Sequence, residues 1–189
     1  LEVRMPSFTM LDDSDWNSII NAFQHMENHN LSFESEYIVD ANSDKFKAGH
    51  KIHEFGACNN CHFYGEIKPV QGAQTWAPNL AMTKERLRPE WVIEWMRDPQ
   101  KIMPGTKMPA PYLPTEDILS VEGASDIWGD ELVRINGDAD IMLEGLTDYI
   151  FSIEGKKDIS DIVREYFRVN GYDFESDQEE DEDDWDEDW

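Results

Sequence analysis

Basic residues are scarce in this 189-residue chain. Sixteen Lys and Arg stand against 41 Asp and Glu, for a formal net charge of −25. That balance argues against nucleic acid as a partner, because affinity for a phosphate backbone is built from Lys and Arg. It disfavours anionic lipid surfaces for the same reason. Long apolar runs are also missing. None approaches the ~18–20 residues needed to cross hydrocarbon, so no direct membrane span is expected. The chain holds two cysteines, Cys58 and Cys61, too few for a disulfide framework or a four-cysteine zinc site. No convincing strand alternation and no repeat of solenoid length occurs. The opening stretch, LEVRMPSFTM, lacks the basic region and apolar core of an export signal. It also begins without Met, so the chain is expected to be a mature or trimmed product, with a lost export signal left open.

What is present reads as helix, and the fold class expected is all-α. In DDSDWNSIINAF, Trp16, Ile19, Ile20 and Phe23 fall at helical spacing behind Asp and Ser residues suited to capping. ENHN, residues 27–30, should end that helix. SDKFKAGHKIHEFGA, residues 43–57, starts a second helix with Ser43 as N-cap and Phe46, Gly49, Ile52 and His53 on one face. Residues 58–83 are loop-rich. RPEWVIEWMRDP reads as a third helix, with Pro89 in its first turn and Pro99 just beyond its end. A proline-rich loop, MPGTKMPAPYLP, follows. Residues 115–138 are polar and read as an insertion holding at most a short helix. DADIMLEGLTDYIFSI is strongly amphipathic, with Ile141, Leu143, Leu146, Tyr149, Ile150 and Ile153 as its apolar set. DISDIVREYF reads as one more short helix. The last 15 residues, ESDQEEDEDDWDEDW, contain 11 acidic groups. Such a run repels itself and should order only on a partner.

Both cysteines sit in GACNNCHFYGE, residues 56–66, with His62 directly after the second. Four chemistries use two cysteines at this spacing. Zinc would need two more ligands from His25, His29, His50 or His53, because no histidine follows His62. A thioredoxin-like dithiol would need a strand before the pair and a helix starting at it, whereas a helix precedes this pair and loops follow. A small disulfide loop would add little stability. Cys-x-x-Cys-His suits attachment of a c-type haem: two thiols add to the two vinyl groups of one porphyrin, and the adjacent histidine becomes the proximal ligand of the iron.

Residues 43–153 resemble a class I mono-haem cytochrome c domain. The motifs stand in the family's order. AGHKIHEFGACNNCH resembles the N-terminal helix running into the haem motif, with Gly49 permitting close helix contact. WAPNL resembles the proline loop whose carbonyl, here that of Pro78, accepts from the proximal histidine. RLRPEWVIEWMRDPQKIMPGTKMPAPY resembles the segment that ends in a methionine ligand, and LEGLTDYIFSI the C-terminal helix that crosses the first. The departure is the insertion at about residues 113–138.

The resemblance implies one covalent haem c, held by Cys58 and Cys61, with His62 and Met108 as iron ligands. Met108 sits between Pro104 and Pro109, and Met103 is its competitor; Met82 and Met96 read as packing. A thioether opposite histidine raises the reduction potential relative to two histidines. Trp76, Arg86, Arg88, Trp91 and Trp95 lie in the segments that border the propionates, where indole N–H groups and guanidinium forks can meet carboxylates. For Trp91 and Trp95 the alternative is simple core packing; for Arg86 and Arg88 it is a solvated helix start. His50 and His53 read as packed or surface groups.

The function implied is electron transfer rather than catalysis, as a subunit of a respiratory or other redox complex. The alternative is a haem enzyme or a gas or redox sensor with a displaceable sixth ligand. Redox protein partners, membrane complex subunits among them, would meet the acidic faces and tail through basic surfaces, with Trp185 and Trp189 as anchors. The bland alternative is a solubilising tail. A periplasmic or other extracytoplasmic location is implied, because thioether attachment occurs there. Three zones are expected: an N-terminal helical extension over 1–39, a haem domain over 40–155, and a C-terminal extension over 156–189. The extension's RMPSF around Met5 followed by a helix resembles the end of another cytochrome c domain, without a preceding haem motif. It is equally readable as a segment packing on a neighbouring subunit or as an ordinary covering helix.

Overall fold

The computed structural model describes residues 12–26 and 37–171. Met5, His29 and the acidic tail with Trp185 and Trp189 lie outside them. The chain divides into two compact units, Leu1–Tyr37 and Ile38–Trp189. Among the described residues there is no β-strand, only two isolated bridges, His62 with Ala77 and Tyr64 with Ile67.

The first unit contains α1 (Asp13–Met26). Its entry is capped reciprocally. The Asp15 amide donates to Asp12 Oδ1 at 2.9 Å, and the Asp12 amide donates to Asp15 Oδ2 at 3.2 Å. Two of the donors that a helix start leaves unsatisfied are thereby used.

The second unit is built on two helices, α2 (Asp44–Gly56) and α9 (Ala139–Phe151). Ser43 caps α2 by accepting the Phe46 amide at 3.1 Å, and Asp138 caps α9 by accepting from Asp140 and Ile141 at 3.0 and 3.1 Å. The helices meet at glycine. A Cβ added to Gly49 would lie 2.0 Å from the Gly145 carbonyl, and one added to Gly145 would lie 2.0 Å from the Lys45 carbonyl oxygen. The two backbones therefore touch, which only glycine at both positions allows. Around this contact Ala48, Ile52, Met142, Leu143 and Leu146 are buried. The buried carboxylate of Asp148 meets Lys45 Nζ at 3.0 Å. The apolar set expected for α9 is corrected at two places: Ile141 is exposed, and Met142, one residue on, has no exposure at all. Both lie in an apolar run, and the direction of α2 decides which turns inward.

Between these helices run α3 (Thr83–Arg86), α4 (Pro89–Arg97) and α5 (Pro99–Ile102). α4 begins at Pro89, as the sequence indicates, and buries Val92 and Met96. The polar stretch expected to hold at most one short helix forms three: α6 (Glu116–Leu119), α7 (Ala124–Trp128) and α8 (Asp130–Ile135). It also contributes to the core, with Leu119, Ala124 and Leu132 buried. Full burial of one leucine such as Leu132 is worth about 2 kcal/mol. Arg134 of α8 clasps the Asp44 carboxylate at the start of α2 through two bonds of 2.8 and 3.0 Å. Helices of four to six residues present one or two apolar side chains each, so no periodicity betrays them. α10 (Ser160–Val169) closes the described chain.

Candidate functional site

The turn carrying Cys58, Cys61 and His62 follows directly from the end of α2. Ala57 adopts a left-handed conformation with φ of 47° and stops that helix. A short 3₁₀ turn, Cys58–Asn60, comes next. The amides of Cys61 and His62 both donate to the Cys58 carbonyl, at 3.2 and 2.9 Å. The two thiols are free and half-buried on one tight turn, with the imidazole at its exit.

The loop over residues 70–80 is zipped to this turn by backbone bonds. Val70 and Gln71 donate to Asn59 and Asn60 at 3.0 Å each. Ala77 donates to Cys61 at 2.8 Å and Leu80 to Phe63 at 2.9 Å. These last two bonds bracket Pro78 and aim its carbonyl at His62, whose Nδ1 lies 2.8 Å away. A hydrogen on Nδ1 donated to that carbonyl fixes the tautomer and leaves the Nε2 lone pair for another task. Burial holds the His62 pKa below the ordinary histidine value, and the Pro78 carbonyl opposes that shift.

Burial pushes the Cys58 thiol up, and Cys61 adds to the shift, although a backbone hydrogen bond opposes it. A dithiol oxidoreductase needs the reverse, a thiol held down so that thiolate is available. Zinc fares no better. Among the described residues no group of three or more His, Cys, Asp or Glu side chains is placed to hold a metal ion, so no closed four-ligand zinc site is assembled here.

Asn79 ties the region together and was not picked out by sequence. It is buried. Its Oδ1 accepts the amides of Gly65 and Ala81 at 2.9 and 3.1 Å. Its Nδ2 donates to the carbonyls of Lys156 and Lys157 at 2.9 and 3.2 Å. One side chain thus joins the segment after His62, the loop carrying Pro78 and the chain beyond α9. An Asn after proline is common enough in loops that nothing local marked this one.

A second cluster lies along α2. His53 is buried, and its Nε2 shares a hydrogen bond with the Tyr64 hydroxyl. The Tyr149 ring contacts His50 and His53, with centroids 4.4 and 4.7 Å away. Burial lowers the His53 pKa to about 4; His50 and His62 push the same way and Glu54 opposes them. His53 is therefore neutral at pH 7. His50 stays half-exposed beside Glu54, at 3.7 Å.

Met108 lies in the loop after α5 and is half-buried, whereas Met103 is 58% exposed. The indole N–H of Trp95 donates to Met108 Sδ at 2.9 Å, and Trp95 stacks on Trp91 at 5.3 Å. The Met108 amide donates to Thr106 Oγ1 at 3.3 Å. Gln100 holds the loop from α5, accepting the Gly105 amide at 3.2 Å and donating to the Thr106 carbonyl. Lys107 reaches from this loop to the Gln74 carbonyl at 3.4 Å, next to the segment that carries Pro78.

The remaining expected residues are placed as follows. Trp76 gives its indole N–H to the Gln71 carbonyl at 3.1 Å, so that donor is already used. Its ring packs against Phe63, Tyr166 and Phe167, with centroids 4.8, 4.6 and 6.2 Å away. Arg86 and Arg88 are exposed at the two ends of the α3–α4 link and form no ion pair among the described residues. Trp91 is 42% exposed. Met96 is core and Met82 half-buried. No family model, curated protein or solved structure matches this chain.

Proposed function

We propose that the chain is an electron-transfer protein carrying one covalently attached haem c in an all-α domain of the class I cytochrome c type. The observation that carries this reading is the His62 ring. It directly follows two free cysteines on one turn, and a backbone carbonyl, 2.8 Å from Nδ1, orients it. The raised Cys58 pKa supports thiols that are kept for attachment rather than for dithiol exchange.

In this reading Cys58 and Cys61 would hold the group through thioether bonds, and His62 would ligate through Nε2. Met108 would supply the thioether ligand, with Trp95 steering its sulfur. The haem supplies a one-electron ferrous–ferric couple. Pro78 keeps the His62 ring from rotating and raises its basicity. Trp91 shields the methionine loop. Arg86 and Arg88, both exposed, offer cations for propionates or partners, and Trp76 acts as a wall rather than a donor.

The partners proposed are redox proteins with basic docking surfaces, in a respiratory or similar complex on an extracytoplasmic side. Electrostatic steering by a chain of net −25 supports this choice. One observation favours a second reading. Among the described residues Met108 itself is tied through side-chain groups, the Trp95 indole and the Thr106 hydroxyl, as a displaceable sixth ligand of a gas or redox sensor would need to be.

The test is the mass of the denatured chain after expression in a host with haem-attachment machinery. One haem adduct is expected, lost in the Cys58→Ser, Cys61→Ser double variant. A folded chain that leaves this host without the adduct would overturn the proposal.

A further inference from the structure

An open groove lies between α3 and α10. Its floor is apolar, with Met82, Val163 and Phe167; its rim carries Arg86, Lys157 and Arg164. In a chain with a net charge of −25, three cations around one apolar floor are a local reversal of charge. Part of that charge is already engaged. Lys157 pairs with Glu85, and Asp158, which also lines the groove, spends one carboxylate oxygen on the Ser160 amide at 3.0 Å. The guanidinium groups of Arg86 and Arg164 form no ion pair or hydrogen bond with any described side chain, although the charge of Arg164 helps to hold the Asp158 carboxyl below its ordinary value. Two exposed guanidinium groups beside an apolar floor fit an acidic segment that carries an aromatic anchor.

The chain itself contains such a segment, beginning at residue 175, after α10 has ended at Val169. Residues 175–189 hold 11 acidic groups together with Trp185 and Trp189. The 14 residues that follow Gly171, through Trp185, can reach about 46 Å when extended. α10, along which the groove runs, is about 15 Å long. The tether is therefore long enough for either tryptophan to reach any part of the floor. Intramolecular docking also has a high effective concentration, so weak charge pairs suffice.

We propose that this groove docks the chain's own acidic C-terminal segment, with a tail indole on the Val163–Phe167 floor and tail carboxylates on Arg86 and Arg164. The docked tail covers the face of α10 that continues into the Tyr166–Phe167–Trp76 contact, beside the loop that orients His62. A partner with a basic surface competes with Arg86 and Arg164 for the same carboxylates, so its arrival frees the groove. That the partner is a redox protein rests on the preceding reading; the docking itself does not.

Zero-length carbodiimide cross-linking of the full chain, at micromolar concentration and low salt, tests this. The monomer band is digested and mapped by mass spectrometry. The expected product joins Lys157 Nζ to a carboxylate within residues 175–189. It should fall roughly tenfold in the Arg86→Glu, Arg164→Glu double variant and in about 0.5 M salt. The native Lys157–Glu85 cross-link should survive in the double variant and shows that the fold is intact. Absence of the tail product from the monomer, its persistence in the double variant, or its appearance only in cross-linked dimers would each overturn the proposal. The last result would give the groove to a second copy of the chain. None of these readouts depends on bound haem.

Discussion

His62 and Met108 are held by different means. His62 sits in a mesh of backbone bonds: its amide is on Cys58, its ring on Pro78, and Pro78 is bracketed by the Ala77–Cys61 and Leu80–Phe63 bonds. Met108 itself is held by side chains, with Trp95 on its sulfur and Thr106 on its amide, and its loop by Gln100 and a backbone bond from Thr106 to Met103 at 3.1 Å. Backbone bonds survive most single substitutions, whereas a side-chain tie disappears with one. The His62 side is therefore a preformed scaffold, and the Met108 side an adjustable arm whose local opening should cost far less than global unfolding.

The scaffold is most vulnerable where it meets the rest of the fold. Gly49→Ala places a Cβ inside the Gly145 backbone and must force α2 and α9 apart. A loss of about 3 kcal/mol or more is expected in urea unfolding. A change below about 0.5 kcal/mol would show that the helices separate freely. Asn79→Ala removes four hydrogen bonds and leaves the buried Gly65 and Ala81 amides without acceptors. A loss of about 2–3 kcal/mol is expected, again by urea unfolding, together with faster amide exchange at Ala77 and Leu80.

The scaffold should also respond to pH. His53, hydrogen-bonded to Tyr64 two residues beyond His62, has a folded pKa of about 4 against an ordinary value of 6.5. The folded state resists protonation, so this contribution is complete above pH 6.5 and is lost as pH falls towards 4. The full shift corresponds to about 3 kcal/mol, and solvent at the edge of the site reduces this to about 2. Comparing unfolding of the parent and His53→Gln from pH 7 to pH 4 isolates the effect from that of the many carboxylates. Equal slopes would remove His53 from the scaffold. The smallest effect belongs to the arm. Gln100→Ala should cost only about 1 kcal/mol globally, while amide exchange at Thr106 and Met108 accelerates and that at Ala77 does not. Parallel acceleration of both segments would erase the distinction.

How much of this could be read beforehand follows the same division. The starts of α2 and α4 were marked by Ser43 and Pro89, and the hydrogen bond from His62 to Pro78 was an expectation that came with the resemblance to a cytochrome c domain. Gly49 was legible as a contact glycine; its partner Gly145, inside an apolar run, was not. The burial of Leu119 and Leu132 was hidden because helices so short carry no period. Trp76 was expected to offer its N–H outward, but Gln71, five residues earlier, takes it. The role of Asn79 is a tertiary one and leaves no local trace. Helix starts and the motif itself were readable; side-chain partners chosen by the folded loops, near in sequence like Gln71 for Trp76 or far like Lys156 for Asn79, were not.

The most direct measurement is the optical spectrum of the purified chain, ferric and ferrous, extended into the near infrared. A six-coordinate haem spectrum is expected, with the weak near-infrared band of a thioether–ferric iron bond. Met108→Ala should lose that band while keeping the covalent haem, and Met103→Ala should lose neither. A parent chain with no haem spectrum would contradict the electron-transfer reading outright. A parent whose ferrous form binds carbon monoxide readily and lacks the band would contradict Met108 as its sixth ligand.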